Sequence, residues 1–262
     1  MSDPNTPSIT ESSSPGQKVS LGELTQRYLT ALQRNFDVTA YMVEGTRRVD
    51  ERTYDEFASA VRFQPSQQDH QGFDGAREES ERWLLKSLLA ESLSLMVPFL
   101  EDVRSIAALS AWQAAGTQDE AALRRMLGEE RQAFLALDLA EKFKHLQANY
   151  GIGSPLSAQV LALTQLGVCL AARRGVVSSA DVNDGGALTL SLVALDLVPT
   201  AAPQPGQSPV TPRVGELKRS FSVGEKIRLE KPDCLNVITT LAIFINSTMK
   251  TVQEWVKQKQ GG

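Results

Sequence analysis

Apolar positions recur at helical spacing along most of this chain. Leu21, Leu24, Tyr28, Leu29 and Leu32 mark one face of a first helix. Ser20 stands ready to cap it, and Glu23 lies in the first turn, where a carboxylate favours the helix dipole. A second helical stretch is expected over 48–62, followed by a polar loop over 64–75. A long helix is then predicted over 76–108, with Leu84, Leu85, Leu88, Leu89, Leu95, Met96, Phe99 and Leu100 on its apolar face. Pro98 should kink it, because the ring removes a backbone donor and crowds the preceding turn.

The stretch GTQDEAALRRMLGEE predicts a short helix capped at Thr117 or Asp119. Another amphipathic helix follows from Glu129 to Asn149, with Phe134, Leu135, Leu137, Leu139, Phe143 and Leu146 mostly inward. Ser154-Pro155 reads as a cap and first helical residue, and the helix it opens should end at Gly175, a good left-handed terminator. The period then changes. ALTLSLVALDLV (187–198) alternates with apolar residues on both faces, the pattern of a largely covered strand. Residues 199–216 read as an exposed, mobile Pro-rich excursion, and SFSVGEKIRLEK offers short strands that pair with 187–198. Pro232-Asp233 begins a final helix reaching about Lys259.

These elements predict a mainly α fold, a helical bundle with a small antiparallel β insertion before the last helix. Residues 1–18, rich in Ser, Pro and Thr, are expected to be a disordered tail. Residues 19–260 form one helical domain in this reading, with 76–175 and 233–258 as bundle core and 187–230 as the insertion.

Composition narrows the function. The chain has 262 residues, 42% hydrophobic and 22% charged, with net charge −4. That balance gives no global attraction to nucleic acid or to an anionic membrane. The start of the chain lacks a basic segment and an apolar run, and CLNVITTLAIFINSTM is short of a spanning segment, so a cytoplasmic protein is expected. Cys169 and Cys234 read as buried free thiols.

Phosphate-loop, zinc-protease, nucleophile-elbow and C-x-x-C patterns are all missing, and the sequence implies no cofactor. His70 falls in the polar loop. His145 lies four residues after Glu141, on the same helix side, and with Asp138 as a third ligand the pair could support a metal-dependent enzyme. Cys169 has no histidine tied to it by pattern. Trp83, Trp112 and Trp255 are expected to fill the core or helix interfaces, with stacking on bases as the alternative. Arg173 and Arg174 complement the C-terminal end of their helix or form a candidate anion or RNA-phosphate contact. Lys218, Arg219, Lys226, Arg228 and Lys231 make the one regional basic cluster, expected to be a solvated strand face.

The passage AEKFKHLQANYGI…LTQLGVCLAARRGVVSSADVNDGGALTLSLVALDLV…VGEKIRLEKPDCLNVITTLAIFINSTM resembles a bacterial branch of the HEPN superfamily (higher eukaryotes and prokaryotes nucleotide-binding). In that branch a helix ends in a string like Arg-Asn-Cys-Leu-Val-His-Arg-Asn-Gly, followed by a turn, a strand and an apolar last helix. The Cys-Leu dipeptide, the arginine before the glycine and ADVND carry the likeness, which spans 135–258. The resemblance implies a helical bundle and, in active members, metal-free RNA cleavage by an Arg-x4–6-His pair where two bundles meet. Carried over by position, the catalytic arginine falls on Gly167, its polar neighbour on Val168 and the histidine on Ala172. None of these can move a proton or hold a phosphate charge. Arg173 and Arg174 lie about 100° and 200° further round the helix than Ala172 and do not replace what is missing.

The expectation is therefore a catalytically inactive HEPN-like module. It would bind a partner protein, a second copy of itself or RNA, in an RNA-targeting defence or toxin–antitoxin setting and without a membrane. The alternatives are an active HEPN-type ribonuclease, or a metal-dependent enzyme using Glu141 and His145.

Overall fold

The structure, a computed structural model, describes residues 20–58, 72–116, 119–199 and 210–260. The tail over 1–18, His70 and Thr117 lie outside them. Helix α1 runs from Leu21 to Arg48. Glu23 Oε2 accepts the Ser20 backbone N–H at 3.2 Å, and Leu24, Tyr28, Leu32 and Val43 are buried. Helix α2 spans Glu51–Ala58, and Asp50 Oδ1 accepts the Thr53 N–H at 2.8 Å at its start.

The long helix is one rod in two parts, α3 (Gly72–Ser94) and α4 (Met96–Ala114). The break falls at Leu95, which keeps right-handed helical angles (φ −71°, ψ −19°). Pro98 explains the position, because its ring crowds the carbonyl four residues back, that of Ser94. The helix is interrupted for one residue there and does not stop. By length and composition Gly72–Ala114 is apolar enough to cross a membrane. Here α3 lies against α1, and Leu84, Leu88, Met96 and Phe99 are core residues.

The expected helix over 129–149 is a junction of two. Helix α5 covers Glu120–Ala136, capped by Asp119, whose carboxylate accepts the Ala122 N–H. Helix α6 covers Leu139–Tyr150. A reciprocal cap separates them: Asp138 Oδ1 accepts the Glu141 N–H at 2.8 Å, and Glu141 Oε2 accepts the Asp138 N–H at 3.0 Å. The buried Lys142 ammonium donates to the Leu135 and Leu137 carbonyls, which closes the end of α5. Leu135 consequently faces solvent, whereas Phe134 and Leu146 are buried.

Helix α7 spans Ser157–Ala172, two residues later than Ser154-Pro155 suggests. Ser154 builds a turn instead. Its Oγ accepts the Leu156 N–H at 3.1 Å and lies 2.6 Å from Ser247 Oγ.

Strand β1 (Ala187–Pro199) pairs antiparallel with β2 (Val210–Ser222), from Ala187 opposite Ser222 to Pro199 opposite Val210. The expected Pro-rich excursion is therefore strand from residue 210 onward. Pro212 is tolerated because a two-stranded sheet leaves one edge of each strand without a partner. One face of the sheet is covered along residues 188–192, and the other, among the described residues, only at Val193. Leu188, Leu190 and Leu192 are buried over α7 and helix α8 (Lys231–Gln260), while Ser220 and Val214 on β2 are exposed.

Helix α8 is the central strut. Val237, Leu241, Phe244, Ile245, Met249 and Val252 are buried along it, and it touches α1, α3, α4, α7 and β1. Thr240 Oγ1 accepts the Val193 N–H at 2.8 Å and pins the sheet to it. The bundle core thus draws on α1 as well as on the segments over 76–175 and 233–258.

Candidate functional site

At the end of α7 the chain reverses sharply. Arg173 closes the helix, and its N–H still reaches the Cys169 carbonyl at 3.0 Å. Arg174 follows with φ +53° and Gly175 with φ +78°. The left-handed turn therefore begins one residue before the glycine, on a side chain that disfavours it. What holds it is a short backbone pairing. The Ile227 N–H donates to the Gly175 carbonyl at 2.8 Å, and the Val177 N–H to Glu225 at 2.9 Å. A Cβ at Gly175 would sit 3.3 Å from Leu170 Cδ2 and 3.7 Å from the Ile227 oxygen, so the close crossing needs glycine.

The two neighbouring arginines have different fates. The Arg173 guanidinium grips Asp181 with both forks, one through Nε at 2.8 Å. Asp181 is 2% exposed and also accepts the Ser178 N–H and hydroxyl, each at 2.8 Å. Burial alone pushes the Asp181 carboxyl up, but Arg173 and Ser178 outweigh it and hold the carboxyl below its ordinary value. Arg173 is thus a clamp on the following loop and is not free to take a ligand. Arg174 has no hydrogen-bond or ion-pair partner among the described residues and opens into a groove.

That groove, about 360 Å³, lies between α3, the end of α7 and residues 226–229. Leu85, Leu170, Ile227 and Leu229 give it apolar lining, and Arg82, Lys86, Arg174 and Lys226 surround it with cations. Arg82 is engaged by Glu78 and Glu79 at 3.4 and 3.2 Å. Lys86, Arg174 and Lys226 have no such partner among the described residues. Trp83 stands beside them, 60% exposed. It is neither core nor helix seam, a departure from the expectation for the tryptophans. Trp255 does join the core, edge-on to Tyr150 with Lys259 Nζ 4.6 Å from its ring centre, and Trp112 is half-buried.

The positions matched to the ribonuclease pair do not line this groove. Gly167 faces α3, where a Cβ would meet Leu93 Cδ1 at 3.4 Å and Leu89 Cδ2 at 3.9 Å. Val168, 51% exposed, and Ala172 look outward into solvent.

No family model, curated protein or solved structure matches the chain.

The other candidate chemistries find no geometry. Asp138 and Glu141 serve the α6 cap, and His145 lies between the rings of Phe134 and Tyr150, at 5.4 and 6.4 Å. Among the described residues no three His, Cys, Asp or Glu side chains gather as a metal site would need. Cys169 is buried, and its thiol donates to the Val176 carbonyl. Burial first, and the Asp181 charge next, raise it away from thiolate character. Burial likewise pushes the Cys234 thiol up to about 12.

The basic cluster is not one surface either. Arg219 pairs with the buried Asp233 at 3.0 Å, Lys218 with Glu216 at 3.8 Å and Lys231 with Glu44. Of that cluster, the groove uses Lys226.

Sequence reading named Arg174 and Lys226 but missed Trp83 and Lys86. A signal was present. Trp83 sits about 170° round α3 from the centre of the Leu84, Leu85, Leu88 and Leu89 face. Glu79, Arg82 and Lys86 are spaced around it on the same polar side.

Proposed function

We propose that this protein is a non-catalytic, HEPN-like helical module that holds a single-stranded RNA segment in the groove at the end of α7 without cutting it. The observation that carries this reading is the grouping of three uncommitted cations, Lys86, Arg174 and Lys226, beside an exposed tryptophan in one groove. Cations meet phosphates, and an indole face stacks on a base with a contribution of about 1–3 kcal/mol. The chain's net charge of −4 leaves such attraction local, confined to this groove.

Cleavage would require a group to take the 2′-hydroxyl proton and another to protonate the leaving oxygen. The groove offers Glu79, already paired with Arg82, and no histidine. Gly167, Val168 and Ala172 add nothing to it. A cytoplasmic setting in RNA-targeting defence or a toxin–antitoxin pair fits such a module. A second reading, contact with a partner protein along α7, is favoured by Val168, Ala171 and Ala172, which give that helix an exposed face of small apolar side chains.

The test is fluorescence anisotropy with an end-labelled single-stranded RNA across a salt series, followed by a denaturing gel of the same samples. Three phosphate contacts predict a slope of log K against log salt near −2, at about 0.7 per contact. K86A, R174A and K226A should each flatten the slope, and W83A should weaken binding with the slope kept. Binding unaffected by all four substitutions would refute the site. Cleavage that follows the protein through independent purifications would refute the non-catalytic reading.

A further inference from the structure

Helix α1 carries a second unexplained surface, on the side turned away from its own core. Its buried positions Leu24, Tyr28, Leu32, Thr39 and Val43 face the bundle. About 100° round the helix from them runs a different stripe. In the second half of α1 Val38, Tyr41 and Met42 are exposed, Tyr41 by 82%, and Val49, the residue that caps the helix end, is exposed beside them. Gly45 lies among them, and a Cβ placed on it meets nothing within 4 Å. Val38, Met42, Gly45 and Val49 follow a 4-3-4 spacing, the seam spacing of paired helices. By comparison, Val168 is the one large exposed hydrophobic side chain among the described residues of α7.

We infer that this half of α1 is a homodimer seam, in which a second copy lays its own α1 antiparallel across the first. The stripe is self-complementary in that direction. Val38 and Val49 stand eleven residues apart, hence about 16 Å along the axis and within about 20° of one another round it. Turning a second helix end for end sets Val38 against Val49 of the second copy and Met42 against its open Gly45. The flanking charges follow the same two-fold pattern. Asp37 and Arg48, both exposed, are also eleven residues apart and lie on one flank. The antiparallel arrangement brings Asp37 towards Arg48 of the second copy at each end of the seam, so each copy satisfies the other. A parallel pair would set like charges together.

Area agrees with a dimer of modest affinity. The four exposed side chains present on the order of 400 Å² of apolar surface, within the range of the largest patch on a monomer and high enough to mark an interface. Two copies would cover about 800 Å², which is the apolar centre of a small specific interface and not of an obligate one. The pair should therefore form and separate in the micromolar range.

Sedimentation velocity on the full chain from 1 to 200 µM tests this. The expected result is a concentration-dependent shift from monomer to dimer. Y41E and M42E should each raise the dissociation constant at least about 30-fold, as loss of a central contact does. Unchanged far-UV circular dichroism and melting temperature would keep a folding defect from passing as a loss of dimer, and Y41E is the cleaner variant because Tyr41 is 82% exposed in the single copy while Met42 is 44% exposed. D37R and R48D should each weaken the dimer and the double exchange D37R/R48D should restore it. A chain that stays monomeric to 200 µM would overturn the inference and leave the stripe to a different partner. A dimer indifferent to Y41E and M42E would overturn it too, and would move the seam to another surface such as α7. K86A in the groove should leave the dimer untouched, which separates failure of this inference from failure of the RNA reading.

Discussion

Gly167 offers the most direct check that α7 packs against α3 at the position where the HEPN resemblance would put an arginine. Consider Gly167→Ala. The new methyl meets Leu93 Cδ1 at 3.4 Å and Leu89 Cδ2 at 3.9 Å, both ordinary contact distances. Replacing a mid-helix glycine with alanine removes a backbone-entropy cost of about 1 kcal/mol, and the methyl covers some apolar surface as well. A small adjustment of Leu93 offsets part of that gain. The net expectation is a stabilisation near 1 kcal/mol, or a rise of about 2–4 °C in melting temperature for a chain of this size. Gly167→Arg should go the other way. Its side chain leaves along the same Cβ direction and must displace Leu89 and Leu93, an overpacking cost of about 1–3 kcal/mol. Urea and thermal unfolding followed by circular dichroism would measure both. The double variant G167R/A172H installs the pair that the HEPN resemblance would expect, yet RNA incubated with it should stay intact, because position 167 points at α3. The reasoning is refuted if Gly167→Ala destabilises by more than 1 kcal/mol, or if the arginine variant is as stable as wild type and cuts RNA.

Three further outcomes are expected. Neither cysteine should react with a thiol reagent at pH 8 in the folded protein, and both should react in guanidinium, since each thiol is buried and raised above its ordinary range. Asp181 ionises more readily folded than unfolded, so its stabilisation is present above the unfolded carboxylate value of about 3.9 and is lost as pH falls through the lower folded value. Acid unfolding should show that loss in wild type, and the D181N variant, less stable at neutral pH, should lose less across the same acid range. Arg104 is buried on α4, paired to Glu130 at 3.3 Å with its Nε lacking any partner, so Arg104→Met should stay within about 1 kcal/mol of wild type in urea unfolding.

Local chemistry was legible wherever a short motif decides locally. Ser20 with Glu23, Asp119 before its helix and Pro98 in the long rod each act within one turn, and the structure uses each of them. The Asp-x-x-Glu box at 138–141 acts on the same scale but is set in a run of leucines that reads as unbroken helix. Ser154 was misleading for another reason. Its hydroxyl is drawn to Ser247, 93 residues away, which no local pattern records. Pro212 pointed to a loop where a two-stranded hairpin could accept it. At the groove, Arg174 and Lys226 were visible as cations, but their meeting depends on the crossing of Gly175 and Ile227. Trp83 joins them from a helix about ninety residues earlier, so only tertiary packing could assemble the set.

The central position of α8 has a consequence for how the chain acquires its shape. The helices that precede it touch one another in part, but α1, α3, α4, α7 and β1 share it as a common neighbour. On the ribosome these segments emerge first and must wait, apolar faces uncovered, until residues beyond 231 arrive. Synthesis that stalls before that point should leave a nascent chain needing chaperone protection, and trimming from the α8 side should abolish the fold in one step instead of shortening it.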